Sequence, residues 1–355
     1  MSWLLIVSVT LALAAANGAN DNVKGAATLI GSGVVGYRVA ISLATIATAL
    51  GGLASIFLVN GLLAAFSGKG IVPDALTVSA PFLEAVGLGA AATVALATRL
   101  GMPISTTHAL IGGLLGAGLA QAGGDVHFDK LMQTFLLPLL VSPLLAAMLG
   151  ASAYSALRLH KAEQDCVCVT EPAIPAMAGG MARIAAPLWV VGSDDDCAQL
   201  PVVARFSITR WLDKLHVLSA LAICFARGVN DTPKIAALLL ASSLLDAQTS
   251  VGWLAAAMAL GGILFARRVA ERMSYRVTRM DHAQGLTANL ITAMLVLFAS
   301  KLGVPVSTTH VSIGSIAGVG MRAQTLDWVA LRQIMLSWLT TLPLAAALAF
   351  AVGSL

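Results

Sequence analysis

Asn17-Gly-Ala-Asn-Asp-Asn-Val-Lys24 and Arg227-Gly-Val-Asn-Asp-Thr-Pro-Lys234 occur once in each half of this 355-residue chain. Both stretches contain Gly-x-Asn-Asp-x-x-Lys, and the two copies are 210 residues apart. A second pair recurs in the same order, Leu100-Gly-Met-Pro-Ile-Ser-Thr-Thr-His108 and Leu302-Gly-Val-Pro-Val-Ser-Thr-Thr-His310, with seven of nine positions identical. Two motifs that recur in one order at nearly one offset indicate an internal duplication.

The composition predicts a polytopic membrane protein. Hydrophobic residues make up 58% of the chain, charged residues only 11%, and the mean hydropathy is +0.88. Soluble proteins carry about 25% charged residues, so the charged residues of this chain are too few to cover the surface of a soluble protein of its size. Disordered proteins, secreted disulfide scaffolds, coiled coils and cytosolic enzymes are therefore excluded. The net charge of +4 does not indicate nucleic-acid binding, because no basic run is interleaved with aromatic residues.

Ten apolar stretches are long enough to cross, or nearly cross, a bilayer, which takes about 20 residues. They are Trp3–Gly31, Val39–Val59, Thr77–Ala97, Pro103–Ala120, Leu131–Leu157, Leu215–Leu240, Val251–Ala266, Gln284–Ser300, Pro305–Val319 and Ile334–Val352. The chain start lacks the positively charged region of a signal peptide, so we assign it to the first membrane segment. We expect an all-α membrane protein with a first repeat over residues 1–157, a polar linker over 158–210 and a second repeat over 211–355.

The distribution of basic residues predicts the orientation in the membrane. With the N-terminus outside and five crossings in each half, three lysines fall outside and fourteen basic residues fall on the cytoplasmic side with the linker. The outside residues are Lys69, Lys130 and Lys301; the inside residues are Arg38, Arg99, Arg158, Lys161, Arg183, Arg205, Arg210, Lys214, Arg267, Arg268, Arg272, Arg276, Arg279 and Arg322. This asymmetry follows the positive-inside rule. An odd number of crossings makes the repeats inverted, with both termini outside, as in secondary transporters whose site lies near the midplane. The linker cysteines lack the spacing of a metal site and indicate no disulfide.

The first motif places Asp21 and Lys24, and their counterparts Asp231 and Lys234, within or beside apolar stretches. Ionisable residues in membrane segments indicate a functional site, although an Asp–Lys pair can also simply neutralise itself. Gly18, Gly228 and Pro233 favour a break in each helix, which would free backbone carbonyl groups. Together with oxygens of the candidate residues, such carbonyls suit a hard cation such as sodium. The sodium candidates are Asn20, Asp21, Asn230, Asp231 and Asn289.

The second motif has the sequence of a helix start, in which proline is followed by hydroxyl side chains that cap the first amides. A helix N-terminus with free N–H groups is an anion site, although Ser and Thr in membrane helices also occur simply as packing residues. Two such starts in inverted repeats predict one anion held from both sides. The predicted anion ligands are Asp21, Asp231, Ser105, Thr106, Thr107, Ser307, Thr308 and Thr309. His108 and His310 could relay protons or make a structural hydrogen bond, and Glu84 is a further ionisable residue inside an apolar stretch.

These motifs resemble those of the inorganic phosphate transporter (PiT) family, which carries Gly-Ala-Asn-Asp in its first half and Gly-x-Asn-Asp in its second. Here they are Gly18-Ala-Asn-Asp21 and Gly228-Val-Asn-Asp231, joined by family-like Pro-x-Ser-Thr-Thr-His elements. The resemblance implies a phosphate symporter driven by sodium or protons, built from inverted repeats and forming a homodimer in the cell membrane. It also implies that the aspartates and the Ser/Thr positions bind phosphate, while Asn20 and Asn230 help to bind sodium.

Phosphate is favoured over sulfate on chemical grounds. Phosphate near neutral pH retains a proton that it can donate to a carboxylate, whereas sulfate has none and two buried carboxylates would repel it. A sulfate or other oxyanion permease of the same fold, and an anion channel, remain as alternatives. No metal-binding or nucleophile motif indicates an enzyme or a covalent cofactor.

Overall fold

The computed structural model of the chain describes residues 2–58, 60–157, 166–170, 188–276 and 280–355. The first half is helical, and a π-helical turn over Met132–Leu136 joins its last two helices. The helices are α1 (Ser2–Asp21), α2 (Ala27–Gly31), α3 (Tyr37–Leu58), α4 (Asn60–Ala65), α5 (Asp74–Thr77), α6 (Ala80–Arg99), α7 (Thr106–Ala122), α8 (Phe128–Leu131) and α9 (Leu137–Leu157).

The second half repeats this pattern of long apolar helices after a short β-containing segment. Its elements are β1 (Cys166–Thr170), β2 (Trp189–Gly192), α10 (Asp194–Gln199), β3 (Val202–Ser207), α11 (Ile208–Ala241), α12 (Ala247–Phe265), α13 (Arg267–Arg276), α14 (His282–Lys301), α15 (Thr308–Ala323) and α16 (Trp328–Gly353).

The described part of segment 158–210 differs from the simple polar linker that the sequence predicts. It forms a three-stranded antiparallel sheet in the order β2-β1-β3, and a disulfide joins Cys168 of β1 to Cys197 of α10. The expectation of no disulfide is therefore wrong. Strands of four to six residues are too short to give a clear alternating pattern. The paired cysteines are separated by 29 residues, and sequence spacing alone does not reveal such a pairing.

Seven of the described helical stretches are long and apolar enough to cross a membrane. They are Trp3–Asp21, Tyr37–Leu58, Ala80–Arg99, Phe128–Leu157, Ala247–Phe265, His282–Lys301 and Trp328–Gly353. Three of the ten apolar stretches found in the sequence are not among them. Helices α7 and α15 have 17 and 16 residues, respectively, which is short for a complete span. Helix α11 is 34 residues long and carries the charged residues in the second copy of the first motif.

The helices of the two halves interlock in equivalent pairs. Helix α1 packs on α12 and α11 packs on α3, while α7 packs on α16 and α15 packs on α9. Gly18 contacts the backbone of Met258 so closely that an added Cβ would lie 1.9 Å from its carbonyl oxygen. Gly228 approaches the carbonyl oxygen of Thr48 in the same way, at 2.1 Å. Met258 and Thr48, the residues that these glycines contact, are also 210 residues apart. The duplication found in the sequence therefore recurs in the packing.

The predicted helix break is present in the first half and absent from the second. Helix α1 ends at Asp21, and a turn precedes α2. Helix α11 instead continues through Pro233, so the predicted break there is wrong. The first half has Gly25 where the second has Ile235, and glycine favours a helix far less than isoleucine. Gly18 and Gly228 lie in helix and allow close packing, rather than the turn that the sequence suggested.

Two contacts join segments whose basic residues the orientation rule assigns to the same side of the membrane. Arg268 donates a hydrogen bond to the carbonyl oxygen of Arg99 at 2.8 Å, which places two predicted cytoplasmic residues side by side. Gly70, next to Lys69 in the chain, lies beside the side chain of Lys130, which places two predicted outside residues together. Which face is cytoplasmic stays a prediction. Four basic residues used in that prediction, Arg158, Lys161, Arg183 and Arg279, lie outside the described residues.

Candidate functional site

The two Pro-x-Ser-Thr-Thr-His elements begin helices, as the sequence predicts. Ser105 is the N-cap of α7 and accepts a hydrogen bond from the His108 amide at 3.2 Å. Ser307 is the N-cap of α15 and accepts from the His310 amide at 3.3 Å. The two serine hydroxyls therefore stabilise their own helices. This arrangement leaves the threonines as the hydroxyls closest to the charged residues.

The structure brings the two aspartates of the first motif together in the protein interior. Asp21 and Asp231 are 1% and 3% exposed, respectively. The Asn17 side-chain amide donates to Asp21 Oδ2 at 3.0 Å and to Asp231 Oδ2 at 3.4 Å, so one nitrogen lies between the two carboxylates. It also donates to the Thr106 hydroxyl at 2.9 Å, and that hydroxyl donates to Asp21 at 3.2 Å. The predicted convergence of the two motif copies is thus visible in the side chains.

Each lysine of the first motif connects its own aspartate to a helix start in the other half. Lys24 contacts Asp21 and the Thr309 hydroxyl, and its ammonium donates to the Ile104 carbonyl at 2.7 Å. The same pattern recurs in the second copy. The Lys234 ammonium pairs with Asp231 at 3.4 Å, and donates to the Thr107 hydroxyl at 2.9 Å and to the Val306 carbonyl at 2.7 Å.

The asparagines preceding the aspartates hold the segments that lead into the helix starts. Asn20 accepts from the Ile104 amide at 3.0 Å and donates to the Met102 carbonyl at 2.9 Å. Asn230 accepts from the Ser300 hydroxyl at 3.0 Å and donates to the Val306 carbonyl at 3.3 Å. Their side-chain oxygens thus accept hydrogen bonds from protein donors. Their role as sodium ligands stays a prediction.

Besides Asn17, Arg227 is a site residue that the sequence analysis did not predict. It is 1% exposed, and its Nε lies 3.5 Å from Asp231 Oδ2. Its Nη atoms donate to the side-chain oxygens of Asn17 at 2.5 Å and Asn22 at 3.2 Å. The signal was present in the alignment of the two motifs, because Arg227 occupies the position that Asn17 has in the first copy. An arginine inside an apolar segment indicates a functional site for the same reason as an aspartate does.

We call the five buried charged residues Asp21, Lys24, Arg227, Asp231 and Lys234 the central network. Each is 3% exposed or less. When all five groups are ionised, three cations face two carboxylates, and the network then carries one excess positive charge. Burying an unbalanced charge is costly, and a bound anion would balance it.

Other predicted residues lie outside this network. Asn289 bonds with Thr28 and Ser219, tying α14 to α2 and α11. The ring centroids of His108 and His310 are 4.5 Å apart, and the His310 ring also packs on Trp338. Glu84, Ser105, Ser307 and Thr308 likewise make no hydrogen bond to the network in the described part of the chain, although both serines and Thr308 are buried.

Comparison with known proteins identifies the family of this chain and relatives that share its fold. The model of the phosphate transporter family matches residues 17–349. A protein of Pyrococcus abyssi named as a phosphate permease is 26% identical over 97% of this chain and 95% of its own length. The chloroplastic inorganic phosphate transporter 2-1 of Arabidopsis thaliana is 27% identical over 94% of this chain and 68% of its own length. A solved structure described as the sodium-dependent phosphate transporter shares the fold, with a TM-score of 0.80, 20% identity and coverage of 99% of this chain and 98% of that one. The family match extends over most of the chain and includes both copies of both motifs, and this chain therefore belongs to the phosphate transporter family.

Proposed function

We propose that this chain carries inorganic phosphate across a membrane by alternating access, coupled to the movement of a cation. The single observation that carries the proposal is the central network with its excess positive charge, placed between two helix starts from opposite halves. Helix N-termini favour anions through their free N–H groups and their dipoles. Family membership, and relatives named for phosphate, support phosphate as the anion.

In this proposal the threonines and aspartates bind different parts of the substrate. Thr107 and Thr309 donate hydroxyl hydrogen bonds to phosphate oxygens beside the starts of α7 and α15. Asp21 and Asp231 accept the hydrogen bond of the P–OH group, which distinguishes phosphate from fully ionised sulfate. The Thr309 hydroxyl now donates to the Ile104 carbonyl at 2.8 Å, and the Thr107 hydroxyl donates to the Val306 carbonyl at 3.4 Å. When phosphate binds, both hydroxyls donate to the substrate instead.

The architecture expected from the sequence forms part of the same proposal. Residues 1–157 and 211–355 are two inverted repeats that rock against each other, with segment 158–210 on the cytoplasmic side and both termini outside. The assembly is a homodimer in the cell membrane. The coupled cation is sodium or a proton. A structure with the same fold, described as a sodium-dependent phosphate transporter, favours sodium. The proton that phosphate itself carries favours proton coupling.

Uptake into proteoliposomes tests the function. Purified full-length protein is reconstituted, and ³²P-phosphate uptake is measured with sodium and proton gradients imposed separately. A coupled transporter accumulates phosphate above its external concentration, whereas an anion channel only equilibrates it. Arsenate should compete and sulfate should not. If sulfate competes as well as arsenate, the protein is a general oxyanion permease, and the role given to the P–OH group is wrong.

A further inference from the structure

The ammonium groups of Lys24 and Lys234 lie in two equivalent sites made of oxygen atoms. We call these sites the ammonium cages. The first consists of the Asp21 carboxylate, the Ile104 carbonyl and the Thr309 hydroxyl. The second consists of the Asp231 carboxylate, the Val306 carbonyl and the Thr107 hydroxyl. Each cage thus combines the same three types of oxygen, and each takes them from both halves of the chain.

This set of ligands is one that a hard cation would use. Carboxylate, backbone carbonyl and hydroxyl oxygens bind such ions, and sodium sites of transporters are built from freed carbonyls in irregular segments. A lysine ammonium has three N–H donors and no acceptor. Each cage offers one acceptor for each of those donors, so the ammonium saturates it. A sodium ion in the same cage would place a second positive charge beside the ammonium, in a site shielded from water.

A simple buried ion pair does not account for the whole arrangement. A lysine at i+3 could neutralise its aspartate within one helical turn, without contacts elsewhere. Here each ammonium also contacts a threonine of the opposite half, and both copies do so. The contacts therefore join the carboxylates to the two helix starts, where a coupled cation would have to act.

The charge balance agrees with this reading. With both lysines in place the central network has one excess positive charge, which a single monovalent phosphate would neutralise. A sodium ion bound in addition would restore the excess. Monovalent phosphate brings its protons with it, so proton movement can accompany the substrate without a separate ion site.

We propose that Lys24 and Lys234 are tethered cations that occupy the places of coupled sodium ions, and that phosphate transport by this chain does not require sodium. The inference rests on the proposed transport of phosphate, and it identifies the proton rather than sodium as the coupled cation. Removing one ammonium while leaving its cage open should create a sodium site. Filling the cage with an uncharged side chain of similar length should not.

The first test uses the unmodified protein. Phosphate uptake by proteoliposomes is measured at fixed pH with external sodium or choline, under an imposed proton gradient. We expect rates that agree within about twofold, well below the tenfold change that about 1.4 kcal/mol of coupling would give. Accumulation that occurs only with sodium would overturn the inference while leaving the transport function standing. Absence of accumulation under every gradient would instead contradict the transport function itself.

The second test uses two variants of Lys24 and an exposed control. Lys24→Ala should gain uptake that is about tenfold faster with sodium than with choline, equivalent to about 1.4 kcal/mol. Lys24→Met, which fills the cage, should show no sodium response, and Lys301→Ala should behave as the unmodified protein. Binding of ²²Na⁺ to purified protein gives a readout independent of transport, with specific binding expected for Lys24→Ala alone. Sodium binding by the unmodified protein would refute the proposal, and so would a folded Lys24→Ala variant that binds no sodium. If Lys24→Ala does not fold, the comparison of sodium with choline on the unmodified protein decides.

Discussion

Replacing Arg227 with glutamine should destabilise the folded protein by about 1.5–3 kcal/mol, the usual contribution of a hydrogen bond to a charged group. Arg227 is 1% exposed, lies 3.5 Å from Asp231 and donates to Asn17 and Asn22. Its loss leaves an amide oxygen without a donor and an aspartate with one cation fewer. It also lowers the net charge of the central network from one positive charge to zero. We therefore expect weaker phosphate binding together with the loss of stability.

The assay is unfolding by a denaturing detergent, followed by tryptophan fluorescence, with phosphate binding measured on the same preparation. Arg267→Gln is a matched control, because Arg267 also pairs with an acidic residue at i+4, Glu271, but on the surface, where the Arg267 side chain is 77% exposed. Exposed pairs contribute about 0–1 kcal/mol, so the control should unfold close to the unmodified protein. Adding Asp231→Asn to Arg227→Gln should recover about 0.5–3 kcal/mol through the lost coupling. If Arg227→Gln unfolds within about 1 kcal/mol of the unmodified protein, below the cost expected for a lost hydrogen bond from a charged group, Arg227 does not hold the site together.

The proposed site makes four further predictions. Asp21→Asn and Asp231→Asn should each abolish phosphate uptake while membrane insertion, measured by fractionation, stays normal; near-normal uptake would remove that residue from the site. Thr107→Ala and Thr309→Ala should each raise the phosphate concentration for half-maximal uptake roughly 10-fold, because a lost donor to a charged group costs about 1.5–3 kcal/mol. Ser105→Ala should instead lower stability by about 1 kcal/mol as a lost N-cap, with half-saturation unchanged, and a shift as large as that of the threonines would show that the serine binds substrate. Arsenate should inhibit uptake competitively and sulfate should not, and equal inhibition by both would show that P–OH recognition is not used.

Much of the site was predictable because duplication makes its signal visible in one sequence. A single Asp–Lys pair in an apolar stretch has a simple structural explanation, whereas two copies at one offset require two equivalent environments. The structure places Asp21 and Asp231 on either side of one Asn17 amide, as convergence of the copies requires. The starts of α7 and α15 were also predictable from the sequence, because proline followed by hydroxyl side chains specifies a helix N-terminus through local hydrogen bonds alone.

The remaining features depend on contacts that sequence patterns do not contain. Gly18 and Gly228 were expected to break helices, yet each meets a backbone of the opposite half, and only the tertiary packing reveals that contact. Pro233 removes one amide from α11, but the packing of that helix on α3 and α14 maintains it. The small sheet around Cys168 was missed because its strands are short and pair across intervening residues. Local sequence signals predicted which side chains converge, while non-local packing determines how the backbone passes through the candidate site.

For the proposed transport of monovalent phosphate, Arg227 gives the duplicated site an odd charge. Residues that occur in both copies contribute charge in pairs: two aspartates and two lysines sum to zero, and any other duplicated charge would change the total by two. A monovalent anion can be balanced only if the copies differ at one charged position. They differ where the first copy has Asn17 and the second has Arg227, and these two side chains contact each other at 2.5 Å. The amide of Asn17 then reaches both carboxylates, so the unpaired positive charge is connected to the aspartates of both halves rather than to its own alone. The departure from symmetry thus supplies the one charge that symmetry cannot, at the point where the two halves meet.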